Sequence, residues 1–165
     1  MTESEFSRPL RVEPLPRDGL EMDIEANAAE REKLAALNGL PAIARLSASF
    51  RIKKWRRGVE VEGELSARLT QTCVVTLEPF EVDVEEPIDV RFLPGAPADS
   101  LDEDAPDPLV DGKIDLGAVT SEFLTLALDP YPRKPGVAFE PPSDADGPDS
   151  PFARLRALAA RDEPD

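Results

Sequence analysis

The ten residues Gln71 to Phe80, Q-T-C-V-V-T-L-E-P-F, separate two stretches of alternating hydrophobicity. Before them, Val59 to Cys73 sets Val59, Val61, Leu65, Ala67 and Leu69 against Glu60, Glu62, Glu64, Arg68 and Thr70. After them, Phe80 to Phe92 sets Val82, Val84, Ile88, Val90 and Phe92 against Glu81, Asp83, Glu85, Asp89 and Arg91. A period of two marks a strand with one dry and one wet face. Ile43 to Lys54 repeats the pattern, with Leu46, Ala48, Phe50 and Ile52 opposite Arg45, Ser47, Ser49, Arg51 and Lys53. The tip W-R-R-G, Trp55 to Gly58, reverses the chain, and Gly58 is available for a positive φ there. Pairing these two strands brings Arg51 and Lys53 beside Glu60 and Glu62 in a cross-strand ladder of ion pairs.

Three consecutive antiparallel strands with one dry face need a lid. Two helices are expected to supply it. Asn27 to Gly39 opens with a capping-box pattern, Asn27 and Glu30, and closes on Gly39 and Pro41. Its apolar stripe is thin: Leu34, Leu37 and alanines. Leu116 to Leu128 is the stronger lid, capped by Asp115, with Leu116, Val119, Phe123 and Leu126 at helical spacing beside Leu124 and Leu128. Phe6 to Val12 is a short first strand whose proline suits an edge. Pro94 to Pro108 is an acidic, proline-rich loop with no regular structure expected. The expected fold is α+β: a small antiparallel β-sheet, a meander left open or partly closed as a barrel, covered by two helices. Residues 1–139 form the single expected domain. Residues 140–165 read as an acidic, proline-rich disordered tail carrying a short basic amphipathic segment, Phe152 to Ala160.

The net charge is −15, yet it is unevenly spread. From Pro41 to Val59 there are six bases and no acid, and from Glu78 to Asp107 eleven acids and one base, Arg91. Such an acidic surface repels phosphate backbones and anionic membranes except where positive charge is segregated, and it attracts basic proteins. One cysteine excludes an internal disulfide, and no histidine excludes His-based acid–base catalysis and His–Cys zinc sites. The N-terminus has no secretory pattern, and no apolar run is long enough to span a bilayer. The expectation is a cytoplasmic protein with no cofactor, no metal, no membrane partner and no small-molecule substrate.

Two features compete for chemistry. Cys73 has valines and acids as sequence neighbours and no base, which should keep its thiol pKa high; it reads as a small apolar residue at a strand end. The tip Lys53, Lys54, Trp55, Arg56 and Arg57 joins four cations to an aromatic ring, a combination suited to phosphates and a stacked base. A tryptophan at a loop tip has no evident packing role. Arg133 and Lys134 are secondary candidates for RNA contact. The acids Asp102, Glu103, Asp104 and Asp107 lack the spacing of a calcium loop, and no phosphate-binding glycine loop or serine nucleophile elbow is present.

The order of a helix ending near Leu37, a hairpin, Gly63 to Ala67 leading into Gln71 to Pro79, then Ile114 to Gly117 and D-P-Y-P-R-K-P-G at Asp129 to Gly136 resembles the YceD family, also called DUF177, in its alphaproteobacterial form. The resemblance runs from about Phe6 to Phe139. It implies a non-enzymatic ribosome-biogenesis factor that supports accumulation or maturation of large-subunit (23S) rRNA. The implied partner is large-subunit rRNA or a pre-ribosomal particle. The alternative is an acidic interaction module that holds a basic ribosomal protein or assembly factor against the surface from Glu81 to Asp107. Many members carry C-x-x-C at the position of Cys73, a pattern suited to metal binding; here the second position is Thr76.

Overall fold

The alternating stretches become three long strands, and a computed structural model places them in one sheet. It describes residues 5–98, 100, 102 and 105–140. The elements in order are β1 (Pro9–Arg11), β2 (Leu20–Glu25), α1 (Ala28–Leu37), β3 (Ala42–Trp55), β4 (Gly58–Thr72), β5 (Pro79–Leu93), β6 (Asp107–Pro108), β7 (Lys113–Asp115) and α2 (Leu116–Ala127). The main sheet has the order β2-β3-β4-β5-β6, antiparallel except for the parallel β5–β6 pair. A separate two-stranded ladder joins β1 to β7. The fold is therefore α+β, and the sheet is not closed into a barrel.

The predicted meander is β3, β4 and β5, within a residue or two of the expected ends. Leu46, Phe50, Ile52, Val61, Leu65, Leu69 and Ile88 are buried on its inner face. A register shift between Ile43 and Arg45 inserts an extra residue in β3, so Ile43 is buried as well. Opposite Phe50 lies Gly63, where a Cβ would stand only 2.3 Å from the Ser49 carbonyl oxygen. Gly63 leaves room for the neighbouring backbone and the aromatic ring.

Several expectations need correction. Gly58 does not carry the positive φ of the tip; Arg56 does, at 52°. Gly58 is required for another reason, since a Cβ there would fall 1.8 Å from the Phe92 carbonyl oxygen. The pattern L-E-M-D-I-E at Leu20–Glu25 forms an unforeseen edge strand, β2. The first strand shrinks to Pro9–Arg11 and pairs with Lys113–Asp115, leaving Phe6 and Val12 as buried anchors on either side. The acidic loop ends in a two-residue strand, β6. In α1 the capping box forms as read, but Leu37 is exposed; Leu34 and Ala35 face the sheet. In α2 the buried face is Leu116, Gly117, Val119, Thr120 and Leu124, while Leu126 is 72% exposed. Gly117 sets that rotation: its Cα lies against the Phe6 backbone, where a Cβ would be 2.4 Å from the carbonyl oxygen.

Both helices pack on the dry face, α1 against β3 and α2 against β4, β5 and β1. Arg8 ties their N-terminal ends together. Its guanidinium donates two hydrogen bonds to Glu30, at 2.7 and 3.0 Å, and its backbone N–H donates to Asp115 Oδ1 at 2.7 Å. Asp115 also accepts from Gly117 and Ala118, capping α2, and Glu30 closes the capping box of α1. The hydrogen bond and charge of Arg8 hold the Glu30 carboxyl below the usual carboxylate range.

The chain divides into two units, residues 1–134 and 135–165. Of the second, residues 135–140 are described; they begin with a turn in which Gly136 has φ 81°. The expected tail helix at Phe152 to Ala160 lies outside the described residues. No helix among those described is long and apolar enough to cross a membrane.

Candidate nucleic-acid interface

The β3–β4 hairpin closes with a two-residue connection. Trp55 and Gly58 pair as the last rung, leaving Arg56 and Arg57 to make the turn. Lys54, Arg56 and Arg57 are exposed, and none of the ion pairs among the described residues involves them. Lys53 differs. Its ammonium lies 2.7 Å from Glu62 Oε2, and that hydrogen bond holds the Glu62 carboxyl below its ordinary range. The expected ladder is thus partly diagonal. Arg51 turns instead to Glu21 on β2, with its Nη2 at 2.6 Å, and Glu60 accepts from Arg91 Nε at 3.0 Å.

Trp55 has a packing role after all. It is half-buried, with the Arg56 guanidinium 4.4 Å and the Arg91 guanidinium 5.5 Å from its ring centroid. Two cations on one indole hold the ring by cation–π attraction. A base stacking there must first displace Arg56. Beside the tip is a cleft of about 280 Å³, lined by Glu13, Leu15, Lys54, Arg56, Arg57 and Leu109 among others. Arg91 and Glu13 lie far from the tip in the sequence. The Glu60–Arg91 register brings Arg91 to it, and the packing of the N-terminal segment brings Glu13.

Arg133 and Lys134 lie elsewhere. The strap Pro130 to Lys134 passes the far end of β4, where the Val74 N–H donates to the Pro132 carbonyl at 2.9 Å. Fifteen residues of β4 separate the two ends, roughly 45 Å at ordinary strand rise. Arg133 is exposed, and the Lys134 ammonium is 3.3 Å from Glu78. The seven candidate residues therefore form two sets at opposite ends of one strand, and the structure does not bring them together.

Cys73 occupies the β4–β5 connection. Its N–H donates to the Glu78 carbonyl and its carbonyl accepts from the Leu77 N–H, both at 2.9 Å. The side chain is fully buried. The Lys134 N–H points at its sulfur from 3.4 Å, and the Thr76 hydroxyl and the Thr76 and Val75 N–H groups add further donors. These donors favour the thiolate over the opposing effect of burial and pull the pKa from 9.0 to about 6. The expectation of a raised thiol pKa is thus reversed, because backbone donors rather than sequence neighbours surround the sulfur. One sulfur and a neutral hydroxyl do not make a metal centre. Among the described residues, no three Cys, Asp or Glu side chains are arranged to hold a metal ion.

A family model described as "Large ribosomal RNA subunit accumulation protein YceD" matches residues 61–159. That span is more than half of the chain and contains β5, α2, the Cys73 turn and the strap. No curated protein and no solved structure matches the chain. The chain belongs to the YceD family, whose name carries a role in the accumulation of large-subunit ribosomal RNA.

Proposed function

We propose that this chain is a non-enzymatic ribosome-biogenesis factor supporting accumulation or maturation of large-subunit (23S) rRNA, and that it works in the cytoplasm on the rRNA or a pre-ribosomal particle. The observation that carries a direct RNA contact is the hairpin tip. On a chain of net charge −15, Lys54, Arg56 and Arg57 are held exposed, together, and clear of the ion pairs that neutralise neighbouring cations. Phosphates are the natural counter-charge for such a cluster. The two-residue turn keeps Arg56 and Arg57 at the end of the hairpin, with Arg56 exposed even as it lies over the Trp55 ring.

The reading is tested by titrating the full chain with a fragment of large-subunit rRNA at two salt concentrations. Reversing Arg56 and Arg57 to Glu should weaken binding and reduce the slope of log affinity against log salt by about one to two. Unchanged affinity and slope would remove the tip as the contact. Arg133 serves as a control at the remote end; Arg133→Glu should change the slope less.

A second reading is favoured by the surface of β5. Glu81, Asp83, Glu85 and Asp89 line its outward face, and among the described residues only Asp83 of these four is paired with a cation, Arg68 at 2.8 Å. This is the acidic interaction module, which would hold a basic ribosomal protein or assembly factor. Affinity capture after nuclease treatment separates the two readings, since a basic protein retained without RNA supports the module and loss of all partners supports the RNA contact.

A further inference from the structure

The outward acids of β5 accompany a sheet edge that is mostly unpaired among the described residues. On one side β5 pairs with β4 along its whole length, from Pro79 opposite Thr72 to Phe92 opposite Val59. On the other side, β6 covers only Phe92 and Leu93. Among the described residues of the first unit, no strand pairs with β5 between Pro79 and Arg91 on that side.

The direction of the open backbone groups follows from two contacts. The Leu93 carbonyl accepts from the Leu109 N–H at 3.0 Å, on the side away from β4. The Phe92 carbonyl instead crowds Gly58 on β4. Alternation along a strand then turns Glu81, Asp83, Glu85, Pro87 and Asp89 toward the open side. Pro87 fits this phase, because a proline is tolerated in a paired strand only where its missing N–H faces away from the ladder.

Side chains along the edge come in two rows. Glu81, Asp83, Glu85 and Asp89 stand on the solvent face. Val82, Val84, Glu86 and Val90 stand on the inner face and are only partly buried, with Ile88 buried between the last two. Next to the upper end of the edge is a cleft of about 250 Å³, where Phe123 and exposed Leu126 from α2 meet Asp89, Asp107 and Glu122, with Arg91 as the one cation. Edge strands with charges and proline resist pairing with copies of themselves. From Glu81 to Asp89 the charges on the solvent row are all negative, with Arg91 as the cation at its end, so this stretch repels a second copy and attracts a strand of the opposite sign.

We infer that the open edge of β5 accepts an extended basic peptide as an added β-strand. This rests on the second reading above and gives it a geometry. The backbone edge supplies hydrogen bonds, and the two rows set the sequence chemistry. Lysine or arginine at alternate positions faces the acidic row. Valine or leucine between them covers Val82, Val84 and the cleft beside Leu126.

The test uses the full chain and the peptide Lys-Val-Lys-Val-Lys-Val-Lys, with a counterpart N-methylated at every residue. N-methylation keeps the charge and removes the donors. Calorimetry should show the parent peptide binding at least about tenfold more tightly than the methylated one. Amide hydrogen exchange at Glu81, Asp83 and Glu85 should slow on binding. Glu85→Pro, which has the same phase as Pro87 and spares the β4 ladder, should weaken binding by about tenfold, while Glu85→Gln should do so by about twofold. Equal affinity for the two peptides, with unchanged exchange, overturns strand addition and leaves the acidic module standing. Failure of both peptides to bind overturns both. Equal binding of a Glu-Val alternating peptide overturns the charge argument and with it the proposal.

Discussion

Cys73 shows how far a residue can depart from its sequence context. The flanking valines argue for a raised pKa, but the folded sulfur faces donors from Lys134, Thr76 and Val75 that lower it to about 6. The thiolate absorbance of the native chain should therefore titrate with a midpoint near pH 6; a midpoint near 9 would show that the donors do not reach the sulfur. An acid whose folded pKa lies below its unfolded value stabilises the fold fully above the unfolded value and loses that contribution as pH falls through the folded one. Stability should rise between pH 6 and pH 9, and Cys73→Ser should flatten that rise. The chain has no histidine, so few other groups titrate in this window. Arg8 offers a second test. It joins Glu30 of the α1 capping box to Asp115, the cap of α2, so Arg8→Ala should cost roughly 1–3 kcal/mol by denaturant unfolding. Arg8→Lys should recover only part of the loss, because an ammonium cannot reproduce the two parallel hydrogen bonds to Glu30. Neither role is visible in the sequence, since residues 8, 30 and 115 meet only through the fold.

Elements are more legible in the sequence where their signals are local. The alternation of β3, β4 and β5 and the caps Asn27 and Asp115 depend on neighbours a few positions away, and all of them form as expected. The faces of the helices depend on contacts beyond that range. Helical spacing alone allowed Leu37 and Leu126 to point inward, and the close approaches at Gly117 and the sheet decided otherwise. Strand β2 carries a valid alternating signal, and Asp18-Gly19 marks a turn before it, but its partner β3 lies beyond α1, so no tight turn joins the two. The glycines separate two kinds of constraint. Gly58→Ala should destabilise by roughly 1–3 kcal/mol, because the new methyl meets the Phe92 carbonyl on a paired strand. Gly39→Ala should cost only about 1 kcal/mol, because that site is open and the strain comes from its φ of 64°. A Gly58→Ala loss no larger than that of Gly39→Ala would contradict the close approach.

At the scale of the whole molecule, charge sets the behaviour. With a net charge of −15, self-repulsion opposes folding at low ionic strength. Raising salt from about 10 to about 150 mM shortens the screening length from roughly 30 to roughly 8 Å and should raise the urea midpoint. A fall would mean that the surface ion pairs outweigh the repulsion. Affinity for rRNA should move the opposite way, so one salt series separates the two effects. The sequence by itself determined the α+β class, the three-stranded meander, both helices and the segregation of basic tip from acidic strand. Periodicity, capping and charge runs act within a few residues and need no tertiary information. The tertiary structure alone decided that the two basic sets stand at opposite ends of β4, that Arg56 and Arg91 claim the Trp55 ring, that backbone donors surround the Cys73 sulfur, and that, among the described residues, β6 covers only Phe92 and Leu93 on one edge of β5. Each of these depends on which distant segments pair and in what register, and a linear chain does not specify that until its strands have found one another.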